Sequence, residues 1–145
     1  MRHDHAAELK LAASRLDGTA KHTQIIASPV LSEMTGHTIL LKPENLQVTG
    51  SFKIRGAYNK IASLTDEELE RGIVTASAGN HAQGVAYAAR ERGAKATILM
   101  PEITPPLKVD ATKAYGADVV LHGEVFDEAA AYAIELRQNA GMTYV

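Results

Sequence analysis

Two segments of this sequence combine residue types that could do chemistry. The first runs Lys42-Pro43-Glu44-Asn45-Leu46-Gln47-Val48-Thr49-Gly50-Ser51-Phe52-Lys53-Ile54-Arg55-Gly56-Ala57. The second, Ser77-Ala78-Gly79-Asn80-His81-Ala82-Gln83-Gly84, directly follows a short β-rich run. In this second segment small residues let backbone N–H groups approach a ligand closely. The positive end of the helix that follows favours an anion there. The same pattern also describes an ordinary strand-to-helix turn in which Asn80 merely caps the helix. Lys53 falls in the first turn of an expected helix, where the dipole disfavours a cation and stability alone would select Asp or Glu. Taken by itself, a lysine there is most simply a solvated surface residue. The chemical alternative is an amine that forms an imine with a carbonyl, helped by burial and a neighbouring positive dipole end. Arg55 either adds to that positive field or lies on the surface.

The elements that must position these segments alternate between short β-rich runs and amphipathic helices, the pattern of an α/β fold with a largely parallel sheet. A first helix is expected over His5–Leu16, with Leu9, Ala12, Ala13 and Leu16 on one face and Gly18 as its stop. Thr38–Lys42 reads as a strand ended by Pro43. Ser51 is the expected N-cap of a helix reaching Leu64, with Ala57, Tyr58 and Ile61 turned inward. Thr65-Asp66-Glu67-Glu68 is a capping-box sequence that opens one further short turn. The rhythm then becomes regular. Strand 73–76 leads to helix 81–92, stopped by Gly93. Strand 96–100 leads to a helix capped by Thr104, with Pro105 at its first position and Gly116 at its end. Strand 118–121 leads to helix 126–140, stopped by Gly141. Right-handed crossovers would place these helices on both faces of the sheet. Met142-Thr143-Tyr144-Val145 reads as the start of one more strand, and we expect the chain to be cut from something longer.

Composition narrows the function classes. The chain has 145 residues, with 15 Lys+Arg against 17 Asp+Glu for a net charge of −2, and 46% hydrophobic residues. That is the balance of an ordinary globular domain, and its length supports one core plus the beginning of another. The near-neutral balance argues against a nucleic-acid partner, which would need clustered Lys and Arg. No apolar run is long enough to span a bilayer, and Met1-Arg2-His3-Asp4-His5 is not followed by the apolar stretch of a signal peptide. With no cysteine, disulfides, thiolate metal sites and cysteine nucleophiles are excluded together, and a cytoplasmic location is expected. His3-Asp4-His5 could suggest a metal, but no third ligand is in view and a solvated tail is the simpler reading, so no metal site is expected. Tyr115-Gly116 reads as structural, and the Ala-rich stretches as close helix-to-sheet packing.

Together the two segments stop being generic. Ser51-Phe52-Lys53-Ile54-Arg55-Gly56-Ala57, preceded by Lys42-Pro43-Glu44-Asn45 and followed by Ser77-Ala78-Gly79-Asn80-His81, resembles the fold-type II pyridoxal-phosphate enzymes. Within that group the likeness is to the threonine dehydratases (threonine ammonia-lyases). It continues through Met100-Pro101, Lys108-Val109, Tyr115-Gly116-Ala117 and Gly123, and so covers nearly all of the chain from Ile25 onward. The resemblance implies an open, twisted parallel sheet flanked by helices, like that of the tryptophan synthase β-subunit. It also implies a division into 1–47, an N-terminal segment of a large domain; 48–141, a small α/β domain; and 142–145, a strand returning to the large domain.

Residue by residue, the resemblance puts Lys53 where the family lysine forms its Schiff base with pyridoxal 5'-phosphate, and Phe52 where a side chain packs on the cofactor ring. Asn80 matches the asparagine that hydrogen-bonds the ring hydroxyl. Ser77, Ala78, Gly79, Asn80 and His81 match the loop that receives the substrate carboxylate. The implied reaction is β-elimination, turning L-threonine into 2-oxobutanoate and ammonia, or L-serine into pyruvate, with the cofactor carrying the hard step. Racemising relatives place a serine before the Gly-Asn-His triplet as a second base. Here Ala78 stands in that place and carries no proton, which favours elimination.

The family's phosphate loop falls beyond residue 145, so residues 1–145 alone are expected to be inactive. The parent enzyme is expected to be a homodimer or homotetramer acting on a small amino acid. Both a form serving isoleucine biosynthesis and a threonine-catabolic form remain open. So do a serine racemase or serine dehydratase, a cysteine-synthase-like enzyme, and a truncated non-catalytic domain.

Overall fold

The computed structural model describes residues 4–145, so His3 of the His-Asp-His trio lies outside the described residues. Asp4 caps α1 (His5–Leu16), its carboxylate accepting from the N–H groups of Ala6 and Ala7 at 3.2 Å. An antiparallel ribbon of β1 (Ile26–Ala27) and β2 (Leu40–Leu41) encloses α2 (Pro29–Thr35), and a short 3-10 turn follows at Glu44–Leu46. Then come α3 (Lys53–Ala62), α4 (Asp66–Glu70), β3 (Ile73–Ala76), α5 (Asn80–Glu91), β4 (Ala96–Met100), α6 (Pro106–Lys113), β5 (Asp118–Leu121), α7 (Phe126–Ala140) and β6 (Thr143–Tyr144). The four later strands form one parallel sheet in the order β5-β4-β3-β6.

The sheet follows from its residues. All four residues of β3 are buried, as a central parallel strand covered on both faces requires. Edge strand β5 opens on Asp118, a charge that discourages further pairing. Ala57 and Ile61 of α3 and the buried alanines and Val85 of α5 share one core with Ile73, Ile98 and Met100. Ala129 and Ala133 of α7 share the other with Val74, Ala76 and Leu99. The expected two-faced arrangement holds.

Most expected elements stand where the periodicity put them; three readings are corrected and one helix, α2, went unread. The strand read over 38–42 is only Leu40–Leu41, and its partner is the antiparallel β1 rather than a parallel strand. Ser28 caps α2 through the Leu31 N–H and Gly36 ends it at φ +69°, a helix too short for its pattern to stand out. The α3 helix starts at Lys53 with Phe52 as its boundary residue, so Ser51 lies one step outside the cap position. Likewise α6 starts at Pro106, and the buried Thr104 hydroxyl caps nothing and has no hydrogen-bond partner.

The capping box at Thr65 and Glu68 is present in both directions, at 3.3 and 2.9 Å. No residue of α1 is buried. Its Leu9, Ala12, Ala13 and Leu16 instead line a groove of about 620 Å³ against α3.

Candidate active site

The approach to Lys53 is a turn with a buried polar interior. Gln47, Thr49 and Ser51 are all buried, and Gly50 takes φ +71°, a conformation that a side chain would strain. The Tyr115 hydroxyl donates to the Val48 carbonyl at 3.2 Å, so Tyr115 is structural, as expected, and its work is to tie α6 to this turn. Ser51 Oγ accepts from the Lys53 N–H at 3.4 Å. It thus serves the first turn of α3 without being its cap residue. Lys53 is exposed, and its Nζ lies 5.5 Å from the centre of the Phe52 ring.

The second segment is organised by Ser77, whose Oγ accepts from the N–H groups of both Gly79 and Ala82 at 3.2 Å. The boundary residue of α5 is Gly79, in extended backbone that makes room for the turn. Asn80 is therefore the first helical residue and not the cap. Among the described residues, the N–H groups of Ala78, Asn80 and His81 have no protein acceptor. They are the donors a helix start leaves for a ligand. The His81 ring is anchored, its Nε2 lying 3.2 Å from the Val145 carbonyl oxygen.

These two segments meet. Phe52, Lys53, Arg55, Gly56, Ala57 and His81 line one pocket of about 340 Å³. Ser77, Ala78, Gly79 and Asn80 belong to the adjoining loop and do not line it. The groove beside α1 is larger, but of the candidate residues only Arg55 reaches it, so the chemistry is placed at the Lys53 pocket.

Two features of this site carried no role in the sequence. The first is Gly84. A methyl group added there would meet the Lys53 carbonyl carbon and oxygen and the Ile54 nitrogen at 3.3 Å. The bare backbone of α5 therefore sets how closely the lysine's own backbone lies. In Gly84→Ala a helix-propensity gain of about 1 kcal/mol opposes that contact. Gly84→Val is expected to lose outright, by about 2–3 kcal/mol in denaturant melts, because a rigid branched side chain overpacks a backbone neighbour.

The second is Glu44. Arg55 donates to it with both prongs, Nε to Oε2 at 2.8 Å and Nη2 to Oε1 at 2.9 Å. The Thr23 hydroxyl donates to Oε1 at 2.8 Å and the Gln47 amide at 3.4 Å. The Arg55 fork, helped by Thr23 and Gln47, outweighs the desolvation of Glu44 and holds its carboxyl down to about 2. Arg55 is accordingly neither a free positive field on Lys53 nor an idle surface residue. A carboxylate held low contributes stability that is complete above pH of about 4.5 and is lost as pH falls toward about 2. Glu44→Gln is expected to cost about 1–2 kcal/mol at pH 7. In melts at several pH values, that cost should shrink steadily between pH of about 4.5 and about 2, as the carboxyl of the unfolded parent gains its proton before that of the folded one.

This lysine pocket is matched by what the whole chain resembles. A family model described as "Pyridoxal-phosphate dependent enzyme" matches residues 16–145. The chain belongs to that family. It is 52% identical over 138 residues to an L-threonine ammonia-lyase of Thermotoga maritima, covering 95% of this chain and 34% of that protein. It is 50% identical over 139 residues to the catabolic L-threonine dehydratase of Staphylococcus aureus, covering 95% of this chain and 40% of that protein. Among solved structures, the processed threonine deaminase isoform 2 of Solanum lycopersicum superimposes with a TM-score of 0.91 at 42% identity, over 97% of this chain and 41% of that one. Maize serine racemase gives 0.91 at 32% identity, over 96% and 42%. The chain thus spans between a third and a half of the length of these relatives. The fold expectation of a parallel α/β sheet flanked by helices is borne out, and so is the family.

The residues present fit the family's cofactor. A primary amine suits the aldehyde, and the Phe52 ring beside it suits a flat apolar heterocycle. Loop N–H groups without a protein acceptor suit an anion.

Proposed function

We infer that this chain is the lysine-bearing part of a pyridoxal-phosphate-dependent L-threonine ammonia-lyase. The observation that carries this reading is the shared pocket: the Lys53 amine and the start of α5 at His81 line the same concavity. The two relatives named for threonine support the substrate. When bound, the cofactor supplies an electron sink for a carbanion at the substrate Cα. Lys53 would hold the cofactor through its Nζ, and its free amine would serve as general base for the Cα proton. Phe52 would pack against the cofactor ring, and the Asn80 amide would donate to the ring hydroxyl. The Ala78, Asn80 and His81 N–H groups, at the positive end of α5, hold the substrate carboxylate. Loss of the β-hydroxyl as water, followed by hydrolysis of the resulting enamine, would give 2-oxobutanoate and ammonia from threonine, or pyruvate and ammonia from serine.

The similarity to maize serine racemase favours racemisation as the second reading. Ala78 argues against it, since a methyl group offers no second base on the opposite face. The proposal includes the division at 1–47, 48–141 and 142–145. In its support, no residue from 24 to 46 is buried, and Ile25, Ile26, Val30 and Met34 stand more than half exposed. That is the surface of a segment made to pack on further structure. It also includes a homo-oligomeric, cytoplasmic parent enzyme, a location in keeping with a chain that has no cysteine. No helix among the described residues is long and apolar enough to cross a membrane.

The test is borohydride trapping of the chain with pyridoxal phosphate, followed by peptide mass mapping. Label concentrated on Lys53 supports the reading. Label scattered over the surface lysines overturns it for this chain.

A further inference from the structure

The Lys53 pocket is held by a fastening that no part of the proposed chemistry uses. Lys21, His22 and Thr23 turn beside the start of α3, the Thr23 N–H donating to the Lys21 carbonyl at 3.0 Å, and are stitched to it through the 44–47 turn. Gln47 pairs with both backbone groups of Lys21, its Oε1 accepting from the N–H at 3.0 Å and its Nε2 donating to the carbonyl at 2.7 Å. Lys42 Nζ donates to the Thr23 carbonyl. Glu44 joins the Thr23 hydroxyl to the Arg55 fork, and Arg55 lines the Lys53 pocket. Thr23 and Gln47 are buried and the Glu44 side chain is only 17% exposed, while the Arg55 side chain is 36% exposed, so water is kept mainly from the Thr23–Glu44–Gln47 end.

Ser51 Oγ serves the first turn of α3 through the Lys53 N–H. The opening residue of that turn is nonetheless a cation against the dipole, and no side chain caps its boundary residue Phe52. Contacts from outside the helix therefore help hold the turn: the α5 backbone at Gly84 and the Glu44–Arg55 fork.

We propose that Glu44 is a positioning residue for Lys53: together with Thr23 and Gln47 it fixes the first turn of α3 through Arg55, and so keeps the lysine in its pocket. The claim rests on Lys53 being the cofactor lysine, and it goes further by naming what holds it. Removing the carboxylate should loosen the start of α3.

The test is native-state amide hydrogen exchange on the chain and its Glu44→Gln variant, read together with borohydride trapping. Exchange of the Lys53 and Arg55 amides, which are bonded to Ser51 Oγ and the Phe52 carbonyl, is expected to speed about tenfold, as for the loss of a charge-assisted bond. Exchange of Thr75 and Ile98 in the sheet is expected to speed by no more than the fall in global stability allows, since those amides open with the whole fold. Under pyridoxal phosphate and borohydride, label on Lys53 relative to exposed Lys60 on the same helix should fall about tenfold.

Unchanged α3 exchange would overturn the proposal. So would faster α3 exchange with an unchanged labelling ratio, since the fastening would then not serve Lys53. If Glu44→Gln fails to fold, Thr23→Val removes one bond and leaves the ion pair. It should shift the same amides in the same direction by about threefold, and no shift would overturn the idea. Should the parent chain show no preference for Lys53 at all, the functional reading falls, while the exchange result still decides whether the fastening holds the turn.

Discussion

Replacing Lys53 by alanine is expected to abolish the borohydride-fixed pyridoxal label at its principal site while leaving the protein as stable as before. The two halves of this result come from the same location. Lys53 is exposed, opens α3, and makes no ion pair among the described residues. Its positive charge faces the positive end of the helix dipole, a cost of about 0.3–1 kcal/mol that alanine does not carry. Alanine is also the better helix former. Lys53→Ala should therefore melt within about 0.5 kcal/mol of the parent, or slightly above it. The label depends instead on one primary amine at one place. Peptide mapping of the variant should show only background on the exposed lysines. A principal labelled peptide that survives the substitution would place the cofactor lysine elsewhere. Stability neutral and function lost is the signature of a residue kept for chemistry.

Ile98→Ala is expected to do the opposite, with the largest loss of stability for a single truncation in this sheet. Ile98 is 0% exposed and sits mid-strand in β4, with Thr75 of β3 on one side and Val119 of β5 on the other. Its core cluster is filled largely by alanines, among them Ala82, Ala86, Ala88 and Ala89. Alanines have no longer rotamers with which to fill a void, so the cavity should persist. The cost should be about 3–4 kcal/mol, at the upper part of the range for Ile→Ala. Against a total of about 5–15 kcal/mol for a domain, that is a large share. Denaturant melts should show it as a lower midpoint with an unchanged slope. Leu107→Ala is the matched control: Leu107 is 80% exposed, and its truncation should change stability by less than about 0.5 kcal/mol. Similar losses for the two would mean that this core is not where the stability resides.

Much of the scaffold was legible because it is written in local patterns. Strands β3, β4 and β5 and helix α7 begin and end at the residues their apolar runs and stop glycines indicated. The Thr65–Glu68 capping box reads directly, since both its hydrogen bonds span three residues. What escaped was short or lacked a local signal. Strands of two residues, such as β1 and β2, have no period to detect, and their pairing is with a distant segment. The cap positions near Ser51, Asn80 and Thr104 were each displaced by one residue: Gly79 and Pro105 stand at the boundaries of α5 and α6, and Phe52 at that of α3, so no polar side chain marks where those helices open.

The chemistry divides along the same line. Residue types drew attention to the Lys53 segment and the Ser77–His81 loop, and the resemblance their motifs carry supplied the roles of Lys53 and Phe52 and the pyridoxal-phosphate family to which the chain belongs. An amine in a helix's first turn and small residues at a helix start are features of the chain read in order. Only the tertiary structure decided that Lys53 and His81 share a pocket, that Gly84 lies against the lysine's backbone, and that Arg55 answers to Glu44. Those contacts join residues whose separation matches neither a helical nor a strand period. They exist because the sheet and its helices pack to crystal-like density and bring distant backbones within bonding range, which no local pattern encodes.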